Sequence, residues 1–316
     1  MTLHLPYGPQ AVVTGPNPNP ITLVGLRPYS SPLCNPITGS GCPLDGVPVF
    51  SSIYAQDTVA KSAYNSLQVS LERQFSRGLQ FEFAYTYSKS IDDASSFENA
   101  LKPICNGVLN DFSCNRNLSL FDARHRLVVS YLWEPPIPKY SGAKGQILNG
   151  WAVSGTTTFQ SGFPIRMQSL DDQELENDVS GFEAPGRPDV VAPVHFSNPK
   201  SGYYFCNSPS GEPCAFADAP LGSLGGPRTV CCGPGINNFD FSIRKLANLG
   251  EAVHAEFRAE FFNIFNHSQF LNPDGDITDA SFNLDGTVDT QNPGDFGKLK
   301  HTRDPRQIQF ALKFSF

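Results

Sequence analysis

The chain has 316 residues and a formal net charge of −7, with 30 acidic side chains against 23 Lys and Arg, a balance that excludes a basic nucleic-acid binder. It holds 25 Phe, 27 Gly and 27 Pro but only two Met, which excludes a helical bundle and points to many strands and turns. No apolar run approaches the ~18 residues of a membrane-spanning helix, and the length suits one large domain or two small ones.

Residues 1–63 show no alternation and read as a long irregular segment. The stretch after Met1, TLHLPYGPQAVV, has neither the basic region nor the apolar core of a signal peptide. An exported chain that starts this way is expected to be part of something longer.

Period two begins at Leu67. Leu67, Val69, Leu71, Arg73 and Phe75 share one face, with Gln68, Ser70, Glu72 and Gln74 opposite. Ser76-Arg77-Gly78 reads as a tight turn. Leu79, Phe81, Phe83, Tyr85 and Tyr87 then alternate with Gln80, Glu82, Ala84, Thr86 and Ser88. The third strand carries Leu127, Val129, Tyr131 and Trp133, and its alternation is the weakest, since Val128 and Leu132 sit opposite. The fourth carries Trp151, Val153, Gly155, Thr157 and Phe159. The fifth carries Phe239, Phe241 and Ile243, and the sixth Val253, Ala255, Phe257, Ala259 and Phe261. The last carries Ile308, Phe310, Leu312, Phe314 and Phe316.

The links between these strands alternate in length. Short ones are 76–78, 135–150 and 246–252; long ones are 89–124, 162–237 and 267–305. A transmembrane β-barrel has short periplasmic turns and long extracellular loops, and strands of about 9–11 residues suit its thickness. If the last strand ends in the periplasm, every long segment falls outside the cell. Trp133 and Trp151 then mark periplasmic strand ends, and Tyr85 and Tyr87 an extracellular end, as two aromatic girdles require. The off-pattern Arg73 falls near a periplasmic end, where it can snorkel. A soluble β-sandwich also alternates, so the loop asymmetry and the girdles decide for an antiparallel transmembrane barrel segment. The polar faces, lumen-facing on this reading, carry Glu82, Arg126, Asp240, Arg244, His254, Glu256, Arg258, Glu260 and Lys313.

The eight cysteines all lie in the long segments. Cys34 and Cys42, Cys105 and Cys114, and Cys206 and Cys214 are local pairs without C-x-x-C spacing. Their Gly/Pro/Asn/Ser-rich surroundings favour disulfides in an oxidising compartment over reduced buried thiols. The vicinal Cys231 and Cys232 leave open a pairing with Cys206 and Cys214.

Six stretches taken together resemble the C-terminal barrel strands of Oar-like TonB-dependent outer-membrane receptors. They are YNSLQVSLERQFSRGLQFEFAYTYSKSIDD (64–93), DARHRLVVSYLWEPP (122–136), GWAVSGTTTFQSGFPI (150–165), GPGINNFDFSIRK (233–245), FRAEFFNIFNHSQF (257–270) and PRQIQFALKFSF (305–316). The resemblance implies a barrel of about 22 strands with a plugged lumen. It implies a carboxypeptidase-regulatory-like domain ahead of the plug, and an inner-membrane energy-coupling protein that acts through the plug. Phe316, with Phe314 and Leu312 on its face, looks like the C-terminal signal read by the barrel-assembly machinery. Seven strands cannot close, and no plug is visible. The expected organisation is an extracellular, loop-like 1–63 and barrel strands over 64–316. The chain is then part of a longer receptor, and Met1 an internal methionine or a misassigned start. Expected partners are outer-membrane lipid, upstream barrel strands, the plug, the assembly machinery and the coupling protein, with no nucleic acid.

Other candidate sites are weak. Asn272, Asp274 and Asp276 resemble the opening of a calcium loop, but Ile277 stands where its Gly is needed and the closing Glu is missing, which favours a plain acidic loop. His4, His125, His195, His254, His267 and His301 show no metal spacing. Glu256 and Glu260, with Arg258 between them, fit a salt-bridged wall better than a glycosidase pair. No nucleophile elbow, phosphate loop or H-E-x-x-H occurs, so neither an enzyme nor a cofactor is expected. Transport through the barrel is the leading function. Adhesion through the loops and a secreted carbohydrate-binding sandwich are the alternatives.

Overall fold

The structure, a computed structural model, describes residues 58–95, 111–169, 186–197, 202–206, 213–219, 225–250, 253–283 and 287–316. Strand pairing alone is defined at four short segments outside these, 2–3, 11–12, 104–105 and 108–109. The expectations for Cys34, Cys42, His4, most of 1–63 and the Cys105 side chain fall outside the described residues.

Seven long strands run in chain order through one sheet. They are β1 (Ser62–Ser76), β2 (Leu79–Asp92), β3 (His125–Trp133), β4 (Trp151–Gln160), β5 (Ile236–Asn248), β6 (His254–Phe262) and β7 (Gln307–Ser315). Each pairs antiparallel with the next. Among the described residues neither β1 nor β7 has a second long neighbour, so the sheet is open at both edges.

The β1–β2 turn has Arg77 at φ 52° and Gly78 at φ 82°. Two left-handed residues give the turn twist that matches the twist of the flanking strands. Gly78 is also required by contact, since a Cβ there would meet the Glu134 carbonyl oxygen at 2.1 Å.

The register sorts side chains as period two demands. Leu71, Phe83, Val129, Thr157 and Phe239 form one cross-strand row, and Glu72, Glu82, Ser130, Thr156 and Asp240 form the adjacent row on the opposite face. The apolar face is bare. Leu67 is 61% exposed and Phe310 65%. A water-soluble sheet would cover such a face.

Two strand bounds need correction. β2 does not stop at Ser88 but continues to Asp92, and β5 spans Ile236–Asn248 rather than 238–244. The extra length is ladder pairing, of β2 with Ser62–Ser66 and of β5 with β4 and β6, where the alternation fades. The short link 135–150 contains a helix, α1 (Gly142–Leu148). The long loops hold the buried core. Phe205, Phe216 and Phe296 pack with centroids 5.1, 5.4 and 5.7 Å apart, and Ile165, Met167 and Ile277 close around them. Burying each such side chain contributes roughly 1.5–3 kcal/mol. These six come from the β4–β5 and β6–β7 connections, which therefore fold as one lobe beyond the long-loop end of the sheet.

Candidate functional site

The register puts the eight charged residues and His254 of the expected polar face on one side of the sheet. Adjacent rows place Glu82 beside Ser130, Arg126 beside Gln160 and Asp240 beside Thr156. Near the short-turn end, Arg244 and Arg258 are directly opposed. Opposed like charges destabilise a sheet, and each guanidinium has its own carboxylate. Arg244 reaches Glu134 at 2.9 Å; Arg258 reaches Glu256 at 2.7 Å and Glu260 at 3.6 Å. Lys313 stands opposite Glu256 in register, and His254 Nδ1 lies 2.8 Å from Asn248 Oδ1. Mid-sheet, Glu82, Ser130, Thr156, Asp240, Ser242 and Glu260 line an open groove of about 440 Å³. Its polar atoms suit a wetted wall.

Beyond the long-loop end of the sheet, a polar hub fastens the β2–β3 connection to the β4–β5 connection. Arg228 pairs with the buried Asp92 carboxylate. Its Nε donates to the Asn115 carbonyl at 3.2 Å and its Nη1 to Ser95 Oγ at 3.0 Å. Arg187 donates to Asn115 Oδ1 at 2.7 Å and to the Cys114 carbonyl at 3.0 Å. Asn115 is 0% exposed. No motif singles out Asp92, Asn115, Arg187 or Arg228. Asp92 and Arg228 are separated by 136 positions, and no local pattern links them.

Cys206 bonds to Cys214, and Cys231 to Cys232. The possible cross-pairing of the vicinal cysteines with Cys206 and Cys214 is thereby replaced. Cys114 is also disulfide-bonded.

The acidic stretch of the β6–β7 connection is folded around a lysine. Lys300 Nζ lies 2.6 Å from Asp274, 3.1 Å from Asp295 and 3.8 Å from Asp279. Hydrogen bonds to Asp274 and Asp295 raise the Lys300 pKa, while those from Lys298 and Lys300 hold Asp295 below its usual range. Burial, then Asp274, pushes Asp279 up. Asn272 donates to the Pro164 carbonyl, Asp276 accepts from Thr278, and Ile277 is buried in the aromatic core. The calcium-like triplet thus points to three separate partners.

The bare side of the sheet completes the geometry. Trp133 and Trp151 occupy that face at the short-turn ends, and the Tyr85 hydroxyl meets His125 Nδ1 at 2.8 Å at the start of β3. Arg73 bends to the Ser76 carbonyl at 3.3 Å. A family model of an outer membrane beta barrel domain matches residues 5–309. The chain belongs to the outer membrane beta barrel family. No curated protein matches it.

As an outer-membrane barrel domain, the chain places its bare aromatic face against lipid and its charged face toward the barrel interior. The secreted two-sheet sandwich is overturned. The seven long strands make one open sheet, and the family is a membrane one. The hub, the aromatic core and the lysine-centred acidic cluster lie in the long connections at one end of the strands. The short turns and α1 lie at the other end. Leu312 and Phe314 lie on the lipid face of β7, and Phe316 follows its last residue, Ser315.

Proposed function

We propose that this chain forms one arc of the wall, and the ligand-facing loops, of a TonB-dependent receptor that takes up a ligand across the outer membrane. The observation that carries this reading is the polar face of the sheet, where Glu82, Asp240, Glu256 and Glu260 share one side with Arg126, Arg244, Arg258 and Lys313. A wall so rich in charge suits a wide, wetted lumen that holds a plug.

Strand parity supports further strands. Among the described residues there are seven long strands, and β1 and β7 both run from the loop side to the turn side. They cannot pair antiparallel with each other, nor with a second copy in the same membrane. Lipid leaves no unmet backbone groups at an edge, so an odd number of additional strands closes the ring. The resemblance of 64–316 to Oar-like receptors supports the same assembly, with a plug and an inner-membrane coupling protein as partners. The wall supplies no catalytic group on this reading.

The fastened lobe also supports adhesion, because a rigid extracellular surface binds without any transport. One experiment separates the two. The full gene product is followed by membrane fractionation, heat-modifiable migration and cross-linking to the energy-coupling protein in living cells. A receptor migrates as a folded barrel and cross-links. A folded barrel without a cross-link leaves adhesion, and a soluble periplasmic product refutes both.

A further inference from the structure

The β3–β4 connection has features that neither the barrel wall nor the lobe uses. Residues 135–150 contain Lys139 and Lys144 and no acidic side chain. Within α1, Lys144, Ile147 and Leu148 fall three and four positions apart, on one helix face. All three are exposed, Ile147 by 67%. Such a stripe in water is costly for so short a helix.

The helix does not hang free. The Asn149 side chain donates to the Tyr140 carbonyl at 2.8 Å and accepts from its N–H at 3.2 Å, which closes the segment into a compact loop. Trp151 Nε1 donates to the Ile147 carbonyl at 2.8 Å. Lys245 reaches the Asn149 carbonyl and lies 5.3 Å over the Trp151 ring. Trp151 and Lys245 both sit on the lipid face, paired in register at its periplasmic end. The helix is therefore fastened to the lipid side of the wall, in continuity with the membrane-facing surface.

We infer that α1 is an interfacial anchor for anionic phospholipid: Ile147 and Leu148 enter the acyl boundary of the periplasmic leaflet, while Lys139 and Lys144 meet headgroup phosphates. A short apolar stripe flanked by lysines, one within the helix and one just before it, lies in this plane. Lysine stems reach back to the headgroups, and Lys245 adds a further cation at the same rim.

The test is photo-crosslinking in the outer membrane of cells making the full gene product. Benzoylphenylalanine is placed at Ile147, at Val69 on the lipid face as a positive control, and at Lys298 in an extracellular loop as a negative control. Adducts are identified by mass spectrometry. Phospholipid adducts are expected at Ile147 and Val69. With Lys139→Glu and Lys144→Glu, the anionic share of the Ile147 adducts falls about fivefold. Lipid adducts at Val69 without any at Ile147 overturn the anchor and leave the barrel standing. Adducts at Ile147 with an unchanged anionic share overturn the headgroup role. No lipid adducts at either site overturn the anchor and the membrane assembly together.

Discussion

Arg228 reaches back across 136 positions to the Asp92 carboxylate and makes the end of β2 part of the lobe formed by the long connections. Both side chains are buried, 10% and 2% exposed. Removing one charge leaves the other without its ion partner. Arg228→Met is expected to destabilise the lobe by about 3–5 kcal/mol, and the double variant with Asp92→Asn to recover part of that. Protease added to intact cells reads this as faster cleavage in the β2–β3 and β4–β5 connections. Heat-modifiable migration of the barrel should not change. Equal cleavage in variant and parent would show that the hub does not hold the lobe.

Val128 and Val129 are neighbours of one residue type that face opposite environments. Val129 lies in the lipid-facing row with Phe83 and Thr157; Val128 shares the interior row with Ala84 and Thr158. Arginine at mid-bilayer costs ~2–4 kcal/mol on the lipid face and little toward a wet lumen. Val129→Arg is therefore expected to lower the folded, heat-modifiable fraction severalfold, while Val128→Arg leaves it near the parent level. The reverse order would invert the assignment of every face.

This pair also shows how far the sequence was legible. Period two sorts the faces even in β3, where the valines blur it, because a strand has only two sides. The same rule puts eight charged residues and His254 on one face, and the strand register does the same. It is silent on contacts between distant loops, so the hub of Asp92, Asn115, Arg187 and Arg228 left no trace. The phenylalanines read alike in sequence, yet Phe310 is bare on the lipid face and Phe296 is buried in the lobe. No periodicity marks a core assembled from irregular segments. Helix α1 was missed because seven residues with Gly142 and Gly145 carry too little helical signal.

The lysine-centred cluster makes the β6–β7 connection pH-sensitive, with opposite signs in its members. Asp295 has a lowered pKa, so its contribution is present above the ordinary 3.8 and is lost as pH falls below it. Lys300 has a raised pKa, so its contribution is present below 10.5 and is lost as pH rises past that. Asp279 has a raised pKa and works against Asp295, since its protonated form favours the fold and stability declines as it ionises. Lys300→Met removes the charge that holds Asp279 down, and should lift its pKa further. Protection of the 274–300 amides, taken relative to their intrinsic exchange rates, is expected to fall at alkaline pH in the parent. In the variant it should fall already as Asp279 ionises above the ordinary 3.8. Identical profiles would mean that Lys300 does not organise the loop.

Cys206 and Cys214 close an eight-residue separation at the edge of the aromatic core. The chain-entropy model gives such a bridge about 2–3 kcal/mol. Cys206→Ser with Cys214→Ser should therefore loosen the lobe without affecting the sheet. Exchange of the buried amides around Phe205 and Phe216 is the measurement, compared with β4 and β5. Faster exchange is expected only in the first set. Unfolding of both would show that lobe and wall form one cooperative unit.

Phe316 separates recognition from stability. It follows the end of β7 and is 97% exposed, so its removal deprives the sheet of almost no packing. A truncated chain ending at Ser315 should unfold at the same temperature as the parent once assembled. If the C-terminal aromatic is read by the barrel-assembly machinery, as the resemblance to Oar-like receptors implies, the amount reaching the outer membrane should nevertheless fall severalfold, with the remainder degraded in the periplasm. Restoring a terminal Phe should recover the level, whereas a terminal Asp should not. A loss of thermal stability in the assembled fraction would instead give Phe316 a packing role, and an unchanged outer-membrane level would remove it from the assembly step.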